Sequence, residues 1–299
     1  MPERVVVGAK PFIKWVGGKS QLISQIEQFL PDGFATWENA TYVEPFVGGG
    51  AMLFYMLRTY PNITRAVIND INAELITCYR TVKNECGDLV DSLRNIEQEY
   101  RALGEDAQKD FYMQKRAEYN TQREHLSAVE TSTFFFFLNR TCFNGLYRVN
   151  KDGNFNVPFG KYKSPTICDP QTLFADSELL EHVEILHGDF TDTIQDTGEH
   201  TLYYFDPPYR PLSTTSSFKD YAKEPFNDDE QIRLKQFCDL IHRNEQAFIV
   251  SNSDCMQSGD PFFDDLYSAY SIERVSASRN INANGSGRGK INEILIHNK

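Results

Sequence analysis

The run Thr201-Leu202-Tyr203-Tyr204-Phe205 leads directly into Asp206-Pro207-Pro208-Tyr209. It reads as a buried strand that opens into a rigid loop, a pattern of sheets covered by helices on both faces. A carboxylate at the carboxyl end of such a strand sits where open α/β sheets bind ligands. Pro207 and Pro208 fix φ and lack N–H groups, so the loop carbonyls can be held facing a substrate. Tyr209 adds a ring on which a planar base can stack. Together, Asp206, a proline carbonyl and that ring suit an exocyclic amine on a heterocycle. Taken alone, such a run is more often just a turn.

Further strands follow the same logic. Tyr42 to Phe46 and Arg65 to Asn69 read as buried parallel strands, as do Val183 to Leu186 and Gln246 to Val250. Tyr270 to Val275 and Glu293 to His297 read as an antiparallel pair, joined by the Gly- and Asn-rich stretch 280–289. Helices are expected at Ser20 to Phe29, Ala51 to Tyr60 and Asp228 to His242. The texture changes between 72 and 168. Glu74 to Arg101 and Gln108 to Glu124 have helical spacing, and Phe134-Phe135-Phe136-Phe137 is too apolar for a solvent-facing element. Its simplest reading is a helix buried between two domains. Asn144 to Gly160 carries hairpin-like turn signals at Asp152-Gly153. The expected architecture is α/β, a Rossmann-like sheet with helices on both faces. Residues 1–71 and 169–299 would form one discontinuous domain, interrupted by a mainly helical insertion, 72–168, that ends in a β-hairpin.

Composition bounds the class. At 299 residues, 40% apolar and 24% charged, the chain is ordinary for a soluble globular protein. No apolar run nears the roughly 18 residues of a membrane span, and Met1 to Val7 does not read as a secretory signal. The cysteines form no CxxC pair and the histidines no ligand pattern, which argues against a metal centre and fits reduced thiols in a cytosol. The glycine block Gly48-Gly49-Gly50 allows close backbone approach to a ligand. Asp70, at the end of the next strand, is placed to accept from sugar hydroxyls. Gly48 and Gly50 make GxG, but Leu53 stands where a dinucleotide fingerprint needs its third glycine.

Four blocks stand in order: Lys14-Trp15-Val16-Gly17-Gly18-Lys19, Val43-Glu44-Pro45-Phe46-Val47-Gly48-Gly49-Gly50, Val67-Ile68-Asn69-Asp70-Ile71-Asn72, and the Asp206 run. In this order they resemble the Dam-type (D12 class, α-group) DNA adenine-N6 methyltransferases. The resemblance extends through Leu138-Asn139-Arg140, Phe143-Asn144-Gly145-Leu146-Tyr147-Arg148 and Phe155-Asn156-Val157-Pro158-Phe159-Gly160. It continues in Pro211-Leu212-Ser213 and in Arg279 to Gly285, and is weakest from about 85 to 130.

The resemblance implies a site-specific enzyme that moves a methyl group from S-adenosyl-L-methionine to N6 of an adenine flipped out of double-stranded DNA. It implies cofactor contacts from Trp15, Lys19, Glu44, Pro45, Phe46, Gly48, Gly50, Asp70 and Asp206. Asp206, Pro207, Pro208 and Tyr209 would be the catalytic loop, with Asp206 and the Pro207 carbonyl accepting the two N–H bonds of the target amine and Tyr209 stacking on the base. No metal is required. Residues 72–168 would be the target-recognition domain, with DNA contacts from Lys14, Arg140, Phe143, Asn144, Leu146, Arg148 and Pro158. Arg148 would pair with a guanine edge, Leu146 and Pro158 would meet a thymine methyl, and Phe143 would wedge into the gap. Arg140 would brace the fold or touch phosphate. The family positions matching Lys14, Leu146, Arg148 and Pro158 contact GATC, so GATC is the expected site. The chain departs from the family at Phe143, where tyrosine is common. Ser213 and Phe218 would belong to a segment over the target base, with 213–217 disordered without DNA. Residues 278–288 either close on phosphate or form a plain surface loop.

A net charge of −12 is unusual for a DNA binder. Its distribution matters more than its total. Arg140, Arg148, Lys151, Lys161 and Lys163 outnumber the acids of 139–163, and both chain ends are also net basic. Either the surface is a solvated mixture or one basic face meets phosphates while the rest is acidic; the motifs favour the second. The rivals are another methyl acceptor (cytosine N4, an RNA base or a protein amide) and a catalytically silent DNA-binding protein on the same fold. The remaining expectations are a monomer in the bacterial cytosol, associated with the nucleoid in use, with no membrane partner. A cognate restriction endonuclease is compatible with the sequence but is not written in it.

Overall fold

The computed structural model describes residues 8–194, 198, 200–211, 226–278 and 290–299. The expectations for Ser213, Phe218 and the 279–288 stretch lie outside them. One sheet is built from β1 (Ala40–Glu44), β2 (Ile63–Ile68), β3 (Val183–Ile185), β4 (Thr201–Phe205), β5 (Ala247–Ser253), β6 (Ser271–Ser278) and β7 (Lys290–His297). Its order is β3-β2-β1-β4-β5-β7-β6. β1 to β5 run parallel, while β7 pairs antiparallel with both β5 and β6. From β1 the chain winds one way to β2 and β3, then returns to place β4 and β5 on the other side. The direction reverses between β1 and β4, which puts the ligand crevice at their carboxyl ends.

The strand residues alternate between two cores. Tyr42, Ile68, Tyr204, Ile249 and Leu295 face one. Val43, Val67, Tyr203, Phe205, Val250 and Ile296 face the other. This period of two, with every residue of β4 and β5 buried, is what a sheet covered on both faces requires. The helices are α1 (Ile23–Ile26), α2 (Ala51–Thr59), α3 (Ala73–Asn84), α4 (Cys86–Arg101), α5 (Glu105–Gln122), α6 (Ala128–Thr141), α7 (Pro170–Leu180), α8 (Asp228–Arg243) and α9 (Phe262–Leu266). α8 covers the second core with Leu234, Phe237, Cys238 and Ile241.

Between β2 and β3 the chain is helical, as the sequence predicts, with α6 at the centre of the layer against α3, α4 and α5. Ser127 and Glu130 start α6 with a reciprocal capping box. Phe134 to Phe137 are all buried. Phe136 stacks on Phe12 at 5.4 Å, and Phe12 meets Tyr79 of α3 and Phe54 of α2 edge-on. The helical layer and one sheet face therefore share one continuous core.

Four details differ from what the sequence predicts. Ser20 to Phe29 is not one helix but a 3-10 turn, the single turn α1 and a second 3-10 turn. No side chain caps its start, and Leu30 is extended before Pro31, so both ends tighten. The stretch from Glu74 to Arg101 breaks at Glu85 into α3 and α4. The expected hairpin holds only two isolated antiparallel bridges, Cys142 with Phe159 and Val149 with Phe155. α7 was not anticipated, although Asp169 caps it and Pro170 occupies its first turn. The cysteines are free and buried, and no helix among the described residues is long and apolar enough to cross a membrane.

Candidate active site

Three acidic strand ends converge at the crevice. β1 ends on Glu44, buried, whose Oε2 accepts the Tyr42 hydroxyl at 2.9 Å. Burial holds the Glu44 carboxyl well above the usual range, partly offset by that hydrogen bond. After β2, the Asn69 side chain bridges the Pro45 and Gly188 carbonyls. Asp70 then accepts Gly48 N–H on Oδ2 at 3.1 Å and Asn72 N–H on Oδ1 at 2.9 Å. Burial raises its pKa against these bonds. Each oxygen retains acceptor capacity, so Asp70 both shapes the glycine turn and faces the crevice with lone pairs to spare.

Trp15 occupies the space beside those glycines. Gly48 has φ +48°, and a Cβ there would stand 2.8 Å from the indole Cδ1; one on Gly49 would be 2.9 Å from the Trp15 Cβ. Gly50, at φ +73°, turns the chain into α2 where a Cβ would meet the Tyr79 hydroxyl at 2.5 Å. Close approach thus dictates the glycines, but the approaching groups here are Trp15 and Tyr79. The indole also stacks on Tyr147 at 5.7 Å. Pro45 is buried, and Phe46 packs on Phe190 and Phe226.

At the end of β4, Asp206 Oδ1 lies 2.9 Å from the Lys19 ammonium, itself buried and donating to the Gly17 carbonyl. Burial pushes the Asp206 carboxyl up to about 6; Lys19 pulls it down and Glu293 pushes it up. Among the described residues, no donor reaches Asp206 Oδ2 or the Pro207 carbonyl. The Pro208 carbonyl is taken by Gln231 Nε2 at 3.1 Å, and Gln231 is held by Asn252, which also accepts Arg210 N–H. Arg210 ties the loop to Asp228 and Asp260. Tyr209 donates its hydroxyl to Glu293 at 2.5 Å, and Lys19 sits 4.4 Å over its ring.

A second cluster gathers the remaining candidates. Lys14 pairs its backbone N–H and C=O with the Asn139 side chain. Its stem lies against Gly145, where a Cβ would be 2.5 Å from Lys14 Cδ, and its ammonium covers the Tyr162 ring. Burial, with the Arg140 charge next, lowers the Lys14 pKa. Asn144 and Gly145 both have positive φ and turn Phe143 outward, 49% exposed. Phe143 N–H bonds the carbonyl of exposed Pro158, and Leu146 lies half-buried nearby. Arg148 is locked by Asn156 through Nε to Oδ1 at 2.6 Å and Nη2 to the backbone carbonyl at 3.0 Å. Arg140 donates to the Phe12 carbonyl through Nη2.

A model of the D12 class N6 adenine-specific DNA methyltransferases matches residues 15–281. The chain belongs to that family. The type II methyltransferase M.MjaIII of Methanocaldococcus jannaschii is 44% identical over 97% of this chain and 99% of its own. M1.LlaDCHI of Lactococcus lactis is 36% identical over 98% and 96%. The DNA adenine methylase of Vibrio cholerae is 32% identical over 96% and 95%. The protein is thus an adenine-specific DNA methyltransferase.

In this D12 enzyme the sequence reading missed Glu293, Gln231, Asn252 and Tyr79. All four act through partners distant in the chain, and only Gln231 and Asn252 carried a local hint as buried polar residues on an amphipathic helix and a core strand.

Proposed function

We propose that this D12 enzyme transfers the methyl group of S-adenosyl-L-methionine to N6 of an adenine flipped out of duplex DNA, in the sequence GATC. The observation that carries this reading is the pairing state of the catalytic loop. Asp206 is ion-paired through Oδ1 alone, and neither its Oδ2 nor the Pro207 carbonyl has a donor among the described residues. The neighbouring Pro208 carbonyl is already occupied by Gln231. Two acceptors beside an aromatic ring match the two N–H bonds and flat face of an adenine amine. Accepting both bonds draws the N6 lone pair out of conjugation with the ring, so the residues work by positioning and electrostatics. Lys19 keeps Asp206 ionised for that purpose.

The crevice residues fit S-adenosylmethionine by their chemistry. A glycine turn at positive φ, the Asp70 and Glu44 carboxylates, the Lys19 ammonium and the Trp15 indole offer partners for hydroxyls, an ammonium, a carboxylate and an adenine ring. When bound, the cofactor supplies a methyl group activated on a sulfonium. Asp70 and Glu44 would hold its polar groups and Trp15 its rings.

For the duplex, residues 72–168 serve as the recognition region, assisted by Lys14. Exposed Phe143 is the wedge, and the Asn156 lock presents Arg148 in one orientation, which suits a bidentate pair with a guanine. The test is incubation of the enzyme and S-adenosylmethionine with unmethylated duplex DNA, followed by single-molecule sequencing. N6-methyladenine at GATC is expected. Methylation at another sequence would refute the reading of Lys14, Leu146, Arg148 and Pro158, and dependence on a different donor would refute the cofactor.

A further inference from the structure

Glu293 lies on β7, opposite Ser253 of β5 and Val275 of β6, so the antiparallel strand carries a carboxylate into a crevice otherwise lined by parallel strand ends. Its side chain is 16% exposed. Its Oε2 accepts the Tyr209 hydroxyl at 2.5 Å and stands 3.9 Å from the Lys19 ammonium. Lys19 in turn lies 2.9 Å from Asp206 and 4.4 Å from the centre of the Tyr209 ring. One ammonium is therefore shared by two carboxylates and a ring, and one carboxylate fixes both the ring's hydroxyl and part of the ammonium's charge.

We infer that Glu293 is a positioning residue for methyl transfer: it fixes the Tyr209 ring through its hydroxyl and divides Lys19 between itself and Asp206. This rests on the roles proposed above for Asp206 and Tyr209. A tyrosine ring with a free hydroxyl swings about χ1 and χ2. One anchored by a charge-assisted hydrogen bond at its tip and capped by an ammonium on one face presents only its other face to a base. Charge sharing has a separate consequence. The groups facing Asp206 are Lys19 from the first 3-10 turn, Tyr42 and Glu44 from β1, Tyr204 from β4, Tyr209 from its own loop and Glu293 from β7. Among them Lys19 favours the Asp206 carboxylate, while the Glu293 charge opposes it. Removing that charge leaves Lys19 to Asp206 alone.

The experiment is single-turnover methylation of duplex DNA across a range of pH by Glu293→Ala, Glu293→Gln, Tyr209→Phe and the double variant Glu293→Ala/Tyr209→Phe, with DNA affinity measured alongside. Glu293→Ala and Tyr209→Phe are each expected to slow transfer about tenfold, as loss of one charge-assisted hydrogen bond in the site would. DNA affinity should not change. The double variant should be no slower than Glu293→Ala, because both changes break one interaction. Glu293→Gln keeps an acceptor for the hydroxyl, so it should recover most of the rate at high pH while its acid limb moves to lower pH. Losses that multiply in the double variant, or an acid limb unmoved in Glu293→Gln, overturn the inference. If Glu293→Ala does not fold, the Gln limb decides alone. Asp206→Ala separates the two layers: full activity there overturns the underlying reading, whereas a dead Asp206→Ala beside a Glu293→Gln that matches wild type at every pH overturns only the role of Glu293.

Discussion

Asp206 titrates near 6 because burial outweighs the pull of Lys19, whereas an aspartate in an unfolded chain titrates near about 3.9. The folded state therefore holds this proton more tightly. The stability it contributes is fully present below the unfolded value and is lost as pH rises through about 6. The proposed chemistry asks for the opposite form, since an ionised Asp206 would be the better acceptor for N6. Rate and stability are thus expected to move in opposite directions through one pH window. Single-turnover rates should rise with an apparent midpoint near about 6. The urea midpoint of the wild type should fall over the same window more than that of Asp206→Asn. Glu44 and Asp70 share the raised direction, so the difference between the two proteins isolates Asp206. A rate that stays flat from about pH 5 to about pH 8 would exclude Asp206 as the titrating acceptor.

Between elements, the loop that follows β4 is held by a polar relay from α8 through β5. Gln231 leaves the amphipathic face of α8 to donate to the Pro208 carbonyl, and Asn252 fixes its amide. Gln231→Leu should cost about 1–3 kcal/mol in urea unfolding, the usual penalty for a buried polar group left unpaired, because the buried Asn252 amide loses its acceptor. It should also lower the turnover number more than it changes DNA affinity; an unaltered turnover number would show that the loop holds its shape without the relay. How far such elements were legible depends on the range of the forces that set them. β4 and its acidic end were readable because period and burial are written in consecutive residues, and α8 emerged at Asp228 as expected. The Ser20 to Phe29 helix failed on its missing caps, a local signal overruled by apolar spacing. α7 was overlooked although Asp169-Pro170 marks its start. Glu293 was not legible as a site residue at all. Its place depends on β7 lying between β5 and β6, a pairing that no neighbouring residue encodes. The glycines at 48 and 49 read as points of close approach to a ligand; what a Cβ there would meet in the structure is the Trp15 side chain, supplied by a segment far away in sequence.

For the whole molecule, the net charge of −12 leaves DNA binding to local basic groups. Lys161 and Lys163 are exposed in the stretch proposed to meet DNA, whereas Arg140 donates to the Phe12 carbonyl. Lys163→Ala is expected to weaken binding to all sequences alike and to reduce the slope of log affinity against log salt by about 1. A loss confined to one sequence would mean that it reads a base. The segment from Lys14 to Lys19 joins the two halves of the site: Lys14 lies against Gly145, Trp15 against Gly48 and Lys19 against Asp206. The fold class was legible from the order of strands and helices; the single core shared by sheet and helical layer was not, because it depends on Phe12 threading beneath Phe136. The sheet order also bears on how the protein is made. β7 follows every other described strand in the chain, yet it pairs with β5 in the interior of the sheet. Once β5 has left the ribosome and until β7 follows it, the outer edge of β5, buried along its whole length in the folded protein, is an open template for a foreign strand. Aggregation of the nascent enzyme is therefore a hazard concentrated in one short interval of synthesis, which ends when β7 leaves the exit tunnel.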